Sequence, residues 1–428
     1  MIKFDSVNKL LSPVKLPEMF RLRQHFNADV LEDPEAELLR QLSQEKISSL
    51  FKPGMRIAIT AGSRGIDNYL LCIQVLVRFI RSKGAEPFVI PAMGSHGGAT
   101  AEGQKALLAG YGITEESVGA PIISSMETVR IGEIDGEEVR VDKNAHEADG
   151  IVLLNRVKPH TGFRAKHESG LVKMAAIGLG KQYGAQIVHA GGPENMGKRV
   201  FAFGDYIIDH EKILCGVGLV ENAFDKTEQL FVAAKDEIED LEAKALEKAK
   251  SNMPSILLED LDILIVDRVG KNISGPGMDP NVTYSFLPNA PIPEELRAKR
   301  AKRIVVLSLT KETHGNAMGI GMADITTRRV FDSMDFDATY PNCLTSGVTV
   351  SAKVPMFFDS DELAVKAAAM TMSCMDASGL RVVRILDTLH LSEIEASAAL
   401  LAEAEADPRI EVLSAPAPMP FDDHGDLL

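Results

Sequence analysis

Four side chains in this 428-residue chain have the types and spacing for proton transfer, covalent attachment and metal ligation: His96, His160, Lys173 and His189. They lie in two glycine-rich stretches, GSHGGAT (Gly94–Thr100) and LLNRVKPHTGFRAKHESGLVKMAAIGLGKQYGAQIVHA (Leu153–Ala190). Glycine lets backbone approach a ligand closely. The chain has only ten histidines, and four of them, His96, His160, His167 and His189, fall in these stretches. Two imidazoles supply an acid and a base near neutral pH. Lys173 is embedded in an apolar run, SGLVKMAAIG, sixteen residues before His189. An amine in such a run is open to covalent modification, and an imidazole is a borderline-soft metal ligand. A zinc centre is not indicated, because HExxH, CxxC pairs and tight histidine–carboxylate clusters are all missing.

Each residue also has a plainer reading. His96 fits a loop histidine bonded to backbone, and His160 a surface histidine at a strand end. Lys173, between Leu171, Val172, Met174 and Ala175, must snorkel, pair or sit in a functional pocket. His189 fits the C-terminus of a helix over GKQYGAQIV, where the dipole favours it. Arg64 follows the first buried strand and is either a surface loop arginine or a bidentate carboxylate ligand. Lys271, in GKNISGPGMDPNV (Gly270–Val282), is a weaker candidate for the same task. His167, between Lys166 and Glu168, reads as a solvated loop residue, with a spare acid–base group as the alternative.

The elements that must position these groups follow from hydrophobic pattern. Met55–Thr60, Pro87–Met93 and Gly150–Val157 are buried-strand runs. Asn68 is placed to cap a helix to about Lys83, and Thr100 to open another. Strand–loop–helix alternation implies a mostly parallel sheet, with ligands beyond the carboxyl ends of its strands. Asp135–Gly136 marks a hairpin within Val129–Lys143. Residues 227–253, rich in Glu, Lys and Ala, read as a solvated amphipathic helix, and Ser392–Ala406 as another helix. A second strand series begins at Asp262 and continues through Arg303–Thr310, Arg381–Thr388 and Ile410–Ser414. The expected fold class is therefore α/β: two domains, 1–255 and 256–428, each a mostly parallel sheet flanked by helices, with the active site in a cleft between them. Polar, glycine-rich loops at Gly270–Val282 and Lys311–Arg329 would line that cleft.

Hydrophobic residues make up 45% and charged residues 25%, an ordinary globular balance. A net charge of −15 argues against nucleic acid and anionic membrane as partners. The N-terminus shows no secretory pattern, and no apolar run is long enough to span a bilayer. Cys72, Cys215, Cys343 and Cys374 are scattered in apolar segments and read as reduced core thiols in a cytoplasmic protein.

These residues resemble the nickel-pincer nucleotide-dependent lactate racemase family, most sharply from Arg64 to His189. GSHGGATAEG is similar to the family segment that carries one catalytic histidine, and KPHTGF to the loop that carries the other. The resemblance implies that His96 and His160 are the acid–base pair. ESGLVK resembles the family's Ser-Gly-Gly-x-Lys segment, so Lys173 would carry the cofactor. That cofactor is a pyridinium mononucleotide whose sulfur-bearing arms grip nickel, and His189 would be the protein's nickel ligand. Arg64, with Lys271 secondary, would hold the substrate carboxylate.

The resemblance implies a racemase or epimerase of a 2-hydroxy acid: hydride leaves C2 for the cofactor, a histidine takes the hydroxyl proton, and return to the other face inverts the centre. Nickel-pincer assembly proteins would be partners for maturation, and preparations made without them would lack the cofactor. The chain departs from the lactate enzymes in four places. A few extra residues separate His160 from Lys173, Gly97–Gly98 replaces Arg-Pro, Ala61-Gly62-Ser63 precedes Arg64, and GKNISGPGMDPNV differs from their Gly-Gly-x-Pro-x-Asp loop. These changes point to a divergent branch acting on a more polar acid, aldonate- or malate-like. Two other readings of the same residues are a 2-hydroxy-acid oxidoreductase or dehydratase, and a non-catalytic carrier of the nickel or nucleotide cofactor.

Overall fold

The structure, a computed structural model, describes residues 4–372 and 375–428; Cys374 lies outside the described residues. Cys72, Cys215 and Cys343 are buried. The chain divides into two compact units, Asn27–Met253 and Met1–Phe26 with Pro254–Leu428. Both are α/β, with parallel strands flanked by helices.

In Asn27–Met253 a five-stranded sheet runs Glu86–Pro91, Arg56–Ala61, Gly150–Arg156, Ile213–Glu221, Thr227–Ala234. The first four strands are parallel and the last is antiparallel. Side chains alternate between two cores, as a two-residue period demands. Ile57, Ile59, Val152 and Leu154 face one core, while Ala58, Ile151 and Leu153 face the other. Helix Tyr69–Ser82 links two parallel strands and buries Cys72, Ile73, Leu76 and Ile80. Asn68 precedes it but does not cap it: its φ is 59°, and its side chain donates to Asp67 and Thr227 instead. Thr100 does cap its helix, accepting from Gly103 N–H at 3.1 Å. The hairpin Thr128–Ile134/Glu137–Asp142 turns at Asp135 and Gly136, whose φ values of 51° and 83° suit a type I′ turn.

The other unit holds a nine-stranded sheet. Met356–Phe358, Ile325–Thr327, Arg303–Leu309, Ile263–Val269 and Val382–Ile385 are parallel neighbours. Antiparallel Glu393–Ser397, Glu18–Gln24, Ile410–Val412 and Ala417–Pro418 complete it.

Three expectations are corrected. Residues 1–26 do not belong with the segment up to 255, because Glu18–Gln24 pairs with strands near the C-terminus. Residues 227–253 are not one helix: Thr227–Ala234 is a strand paired with Ile213–Glu221, and only Ile238–Asn252 is helical. The run LFVAA within it is buried on both faces, and sheet pairing overrides the Ala and Glu content that follows. In Ser392–Ala406 the first half is strand Glu393–Ser397, and the helix is confined to Leu401–Ala406. Its Glu-Ile-Glu-Ala alternation buries Ile394 and Ala396, and Arg23 on the neighbouring strand pairs with Glu393 at 2.7 Å.

Candidate active site

Strand order assembles the first part of the site. Arg56–Ala61 lies between Glu86–Pro91 and Gly150–Arg156, all parallel, so their carboxyl ends share one edge. The central strand delivers Arg64, and its neighbours deliver His96 and His160. With strands about 4.8 Å apart, the two outer ones stand roughly 10 Å apart on either side of the central one.

His96 lies in a tight glycine turn. Gly97 has φ 66°, and a Cβ there would meet Gln104 N at 2.6 Å, so only glycine fits against the next helix. Buried Gln104 donates to the carbonyls of Gly94 (2.9 Å) and His96 (3.2 Å), fixing the loop. His96 Nδ1 is hydrogen-bonded to Ser63 Oγ, in the loop that carries Arg64. Tyr111 OH donates to Ser63 O at 3.1 Å. A hydroxyl both donates and accepts, so Ser63 suits His96 whichever nitrogen carries the proton.

His160 sits in a loop closed at its base by two backbone bonds, Lys158 N–H to Ser169 O (2.9 Å) and Ser169 N–H to Lys158 O (3.2 Å). Residues 159–168, between His160's strand and Lys173, form this loop. Buried Glu168 accepts from His160 N–H at 2.8 Å and pairs with Lys250 at 3.3 Å. The ring stacks on Phe163, centroids 4.2 Å apart. Gly162 N–H donates to His160 Nδ1 at 3.0 Å. An accepting Nδ1 leaves the proton of the neutral ring on Nε2, so in this arrangement His160 offers Nε2–H as a donor. Burial, then the charges of Lys173, His189, Lys158 and Arg164, hold its pKa well below the ordinary histidine value.

Lys173 ends the short helical segment Leu171–Lys173, and a six-residue π-helix, Met174–Leu179, follows. Such segments recur at functional sites. The Lys173 amine makes no hydrogen bond or ion pair with any of the described residues. Burial, then Arg64 and Lys158, lower its pKa from 10.5 to about 8. That shift raises the neutral-amine fraction at pH 7 roughly 300-fold.

In one straight α-helix, sixteen residues span about 24 Å, which would separate Lys173 from His189. Instead the π segment and a left-handed residue, Lys181 (φ 56°), break the run before helix Lys181–Ala190. Lys181 is fully buried, pairs with Asp142 at 2.9 Å and also donates to Pro91 O, at the end of the strand before His96. The pKa of His189, in the last turn of that helix, is lowered by surrounding protein and then by Lys173. His160, Lys173 and His189 therefore lie close enough to feel one another's charge.

Lys271 belongs to the other unit. Its N–H donates to Thr313 Oγ1 at 3.1 Å, and its charge reaches Cys343. The polar loops there use much of their hydrogen bonding internally: Asn272 with Thr310, Asp279 with Asn281 N–H, and Asp324 with Arg300. The expectation for His167 is corrected. It is 2% exposed, and its Nδ1 lies 3.1 Å from Glu242 Oε1. Ser63, Lys158, Glu168 and Glu242 were not singled out from sequence. Glu242 alone left a signal there, a carboxylate on the stripe of Ile238, Ala245, Leu246 and Ala249 that its helix buries.

Residues 13–190 match the family described as the lactate racemase N-terminal domain. The fold matches the lactate racemase apoprotein from Thermoanaerobacterium thermosaccharolyticum, with TM-score 0.55 and 14% identity over 86% of this chain and 93% of that one. No curated protein sequence matches the chain. The family likeness covers residues 13–190, and the likeness to the solved structure is one of fold. Among the described residues no helix is long and apolar enough to cross a membrane.

Proposed function

We propose that the chain inverts the C2 centre of a polar 2-hydroxy acid, aldonate- or malate-like, using a nickel-pincer nucleotide attached to Lys173. One observation carries this reading: a single sheet edge presents His96, Arg64 and His160, with Lys173 and His189 in electrostatic reach of His160. The residues fit the cofactor. Lys173 is an amine of lowered pKa with no acidic partner among the described residues, suited to forming an amide-type bond. His189 is an imidazole of lowered pKa, which favours the neutral ring that a metal ligand needs. The described residues contain no cluster of three or more protein ligands, so a metal held by His189 would take its remaining ligands from the nucleotide. When bound, that group supplies a hydride acceptor beside C2.

The chain's own residues do the rest. Arg64 takes the substrate carboxylate, and the positive charge of Lys158 favours an acid with further anionic or hydroxyl groups. His96 takes or returns the hydroxyl proton on one face. His160 donates Nε2–H on the other, and accepting a proton there requires the Gly162 contact to release. Maturation would use nickel-pincer assembly proteins, and the site would act without nucleic acid or membrane, in the cytoplasm.

The deciding experiment uses protein co-expressed with those assembly proteins, a panel of single-enantiomer acids and heavy water. Stereoisomers should interconvert with the C2 hydrogen largely retained, and polar acids should outpace lactate. Rapid solvent deuterium at C2 would replace this route by a carbanion one. Arg64→Lys should raise KM about tenfold or more for the preferred acid, since a point charge cannot reproduce a bidentate grip. An unchanged KM would place the carboxylate elsewhere.

A further inference from the structure

We infer that Glu242, braced by His167, is the positioning residue that sets where the Lys173 amine stands; this rests on Lys173 being the attachment residue. Glu242 projects from helix Ile238–Asn252 and is 1% exposed. Its Oε2 accepts from the N–H groups of Leu171 and Val172, the latter at 3.0 Å. These are the opening amides of the helical segment whose third residue is Lys173. Its Oε1 faces His167 Nδ1 at 3.1 Å, and that ring stacks on Phe201 with centroids 5.3 Å apart. Both carboxylate oxygens are therefore committed, and the carboxylate cannot swing away from the amides.

The segment is shaped to receive it. A Cβ at Gly170 would meet the Glu242 carboxyl carbon at 2.5 Å, so glycine is what permits the approach. On the other side Asn155 Nδ2 donates to Gly170 O at 2.9 Å, tying the same residue to the strand that leads to His160. Leu171 and Val172 are buried, so without Glu242 their amides would be orphan donors with no water to replace it. Charge-assisted bonds at a helix start are among the stronger kind. Glu242 acts on Lys173 through two peptide units and has no contact with the amine itself.

The test is made on apoprotein, so it is separate from cofactor loading and turnover. Acetic anhydride labelling of Lys173, read by peptide mass spectrometry across pH, gives the amine's midpoint. Wild type should titrate near 8, far below surface lysines. In Glu242→Gln the segment loosens, the amine regains water, and the midpoint should rise by about one pH unit or more. Loss of a nearby negative charge alone would move it down, so the sign separates positioning from simple electrostatics. Leu246→Ala, on the same helix, is the control for general destabilisation: at a matched fall in Tm its midpoint should stay put. If Glu242→Gln does not fold, His167→Phe keeps the ring stack, removes the brace and should give a smaller rise. A midpoint unchanged or lowered in the folded variants, or raised equally in Leu246→Ala, overturns the positioning role. An adduct on another lysine would instead overturn the attachment reading, with the labelling result intact.

Discussion

Lys173→Ala, matured alongside the nickel-pincer assembly proteins, should carry no covalent mass adduct and show no detectable racemisation, a loss of about 10⁴-fold or more. The argument rests on what the amine has and lacks. It stands at the junction of a short helix and a π segment, with Arg64 and Lys158 as charged neighbours and no acidic partner among the described residues. Lys173→Arg tests the chemistry separately from the charge. A guanidinium keeps the positive charge but is not a nucleophile near neutral pH, so it too should fail to load. Intact-mass and metal analysis read both variants. His189→Ala should retain some adduct and hold nickel poorly. A normal adduct in Lys173→Ala would move the attachment point elsewhere.

The second large effect belongs to the histidines. His96→Ala and His160→Ala should each lower the rate about 10²–10⁴-fold while leaving the adduct mass in place. The pH profile should carry their asymmetry. His160 is held well below the ordinary histidine value by burial and by nearby positive charge, so it remains neutral throughout the neutral range. His96, joined to Ser63, has a partner that tolerates either tautomer. Whatever acidic limb the profile shows near neutrality should therefore persist in His160→Ala. Near-normal rates in both variants would remove the two-base scheme.

Much of the Asn27–Met253 unit was legible because its signals are local. Buried strands show as short apolar runs, and Asp135–Gly136 announces a turn that needs two positive φ values. Arg64, His96 and His160 could be placed at strand ends for the same reason. What sequence could not show depends on distant partners. Glu18–Gln24 becomes a central strand only through partners more than 360 residues away. Thr227–Ala234 is a strand because Ile213–Glu221 offers it an edge. Glu168 and Glu242 look like surface carboxylates until the fold brings backbone amides to them. Ser63 gains meaning only when the His96 loop folds over it.

The pinch at Lys158 and Ser169 gives the two spacings in this site opposite characters. Between His160 and Lys173 the chain makes an excursion and returns to a closed base, so its contour length is slack. Residues can be added around exposed Lys166 while Phe163, His167 and Glu168 stay buried, since lengthening the exposed part of a loop adds little free energy. Between Lys173 and His189 there is no slack. That stretch is helical except for its break at Gly180–Lys181, and a single added residue would turn His189 by about 100° around its axis. If Lys173 and His189 act as proposed, the His160 loop can thus be reshaped for a new acid while the interval from amine to imidazole works as a fixed ruler.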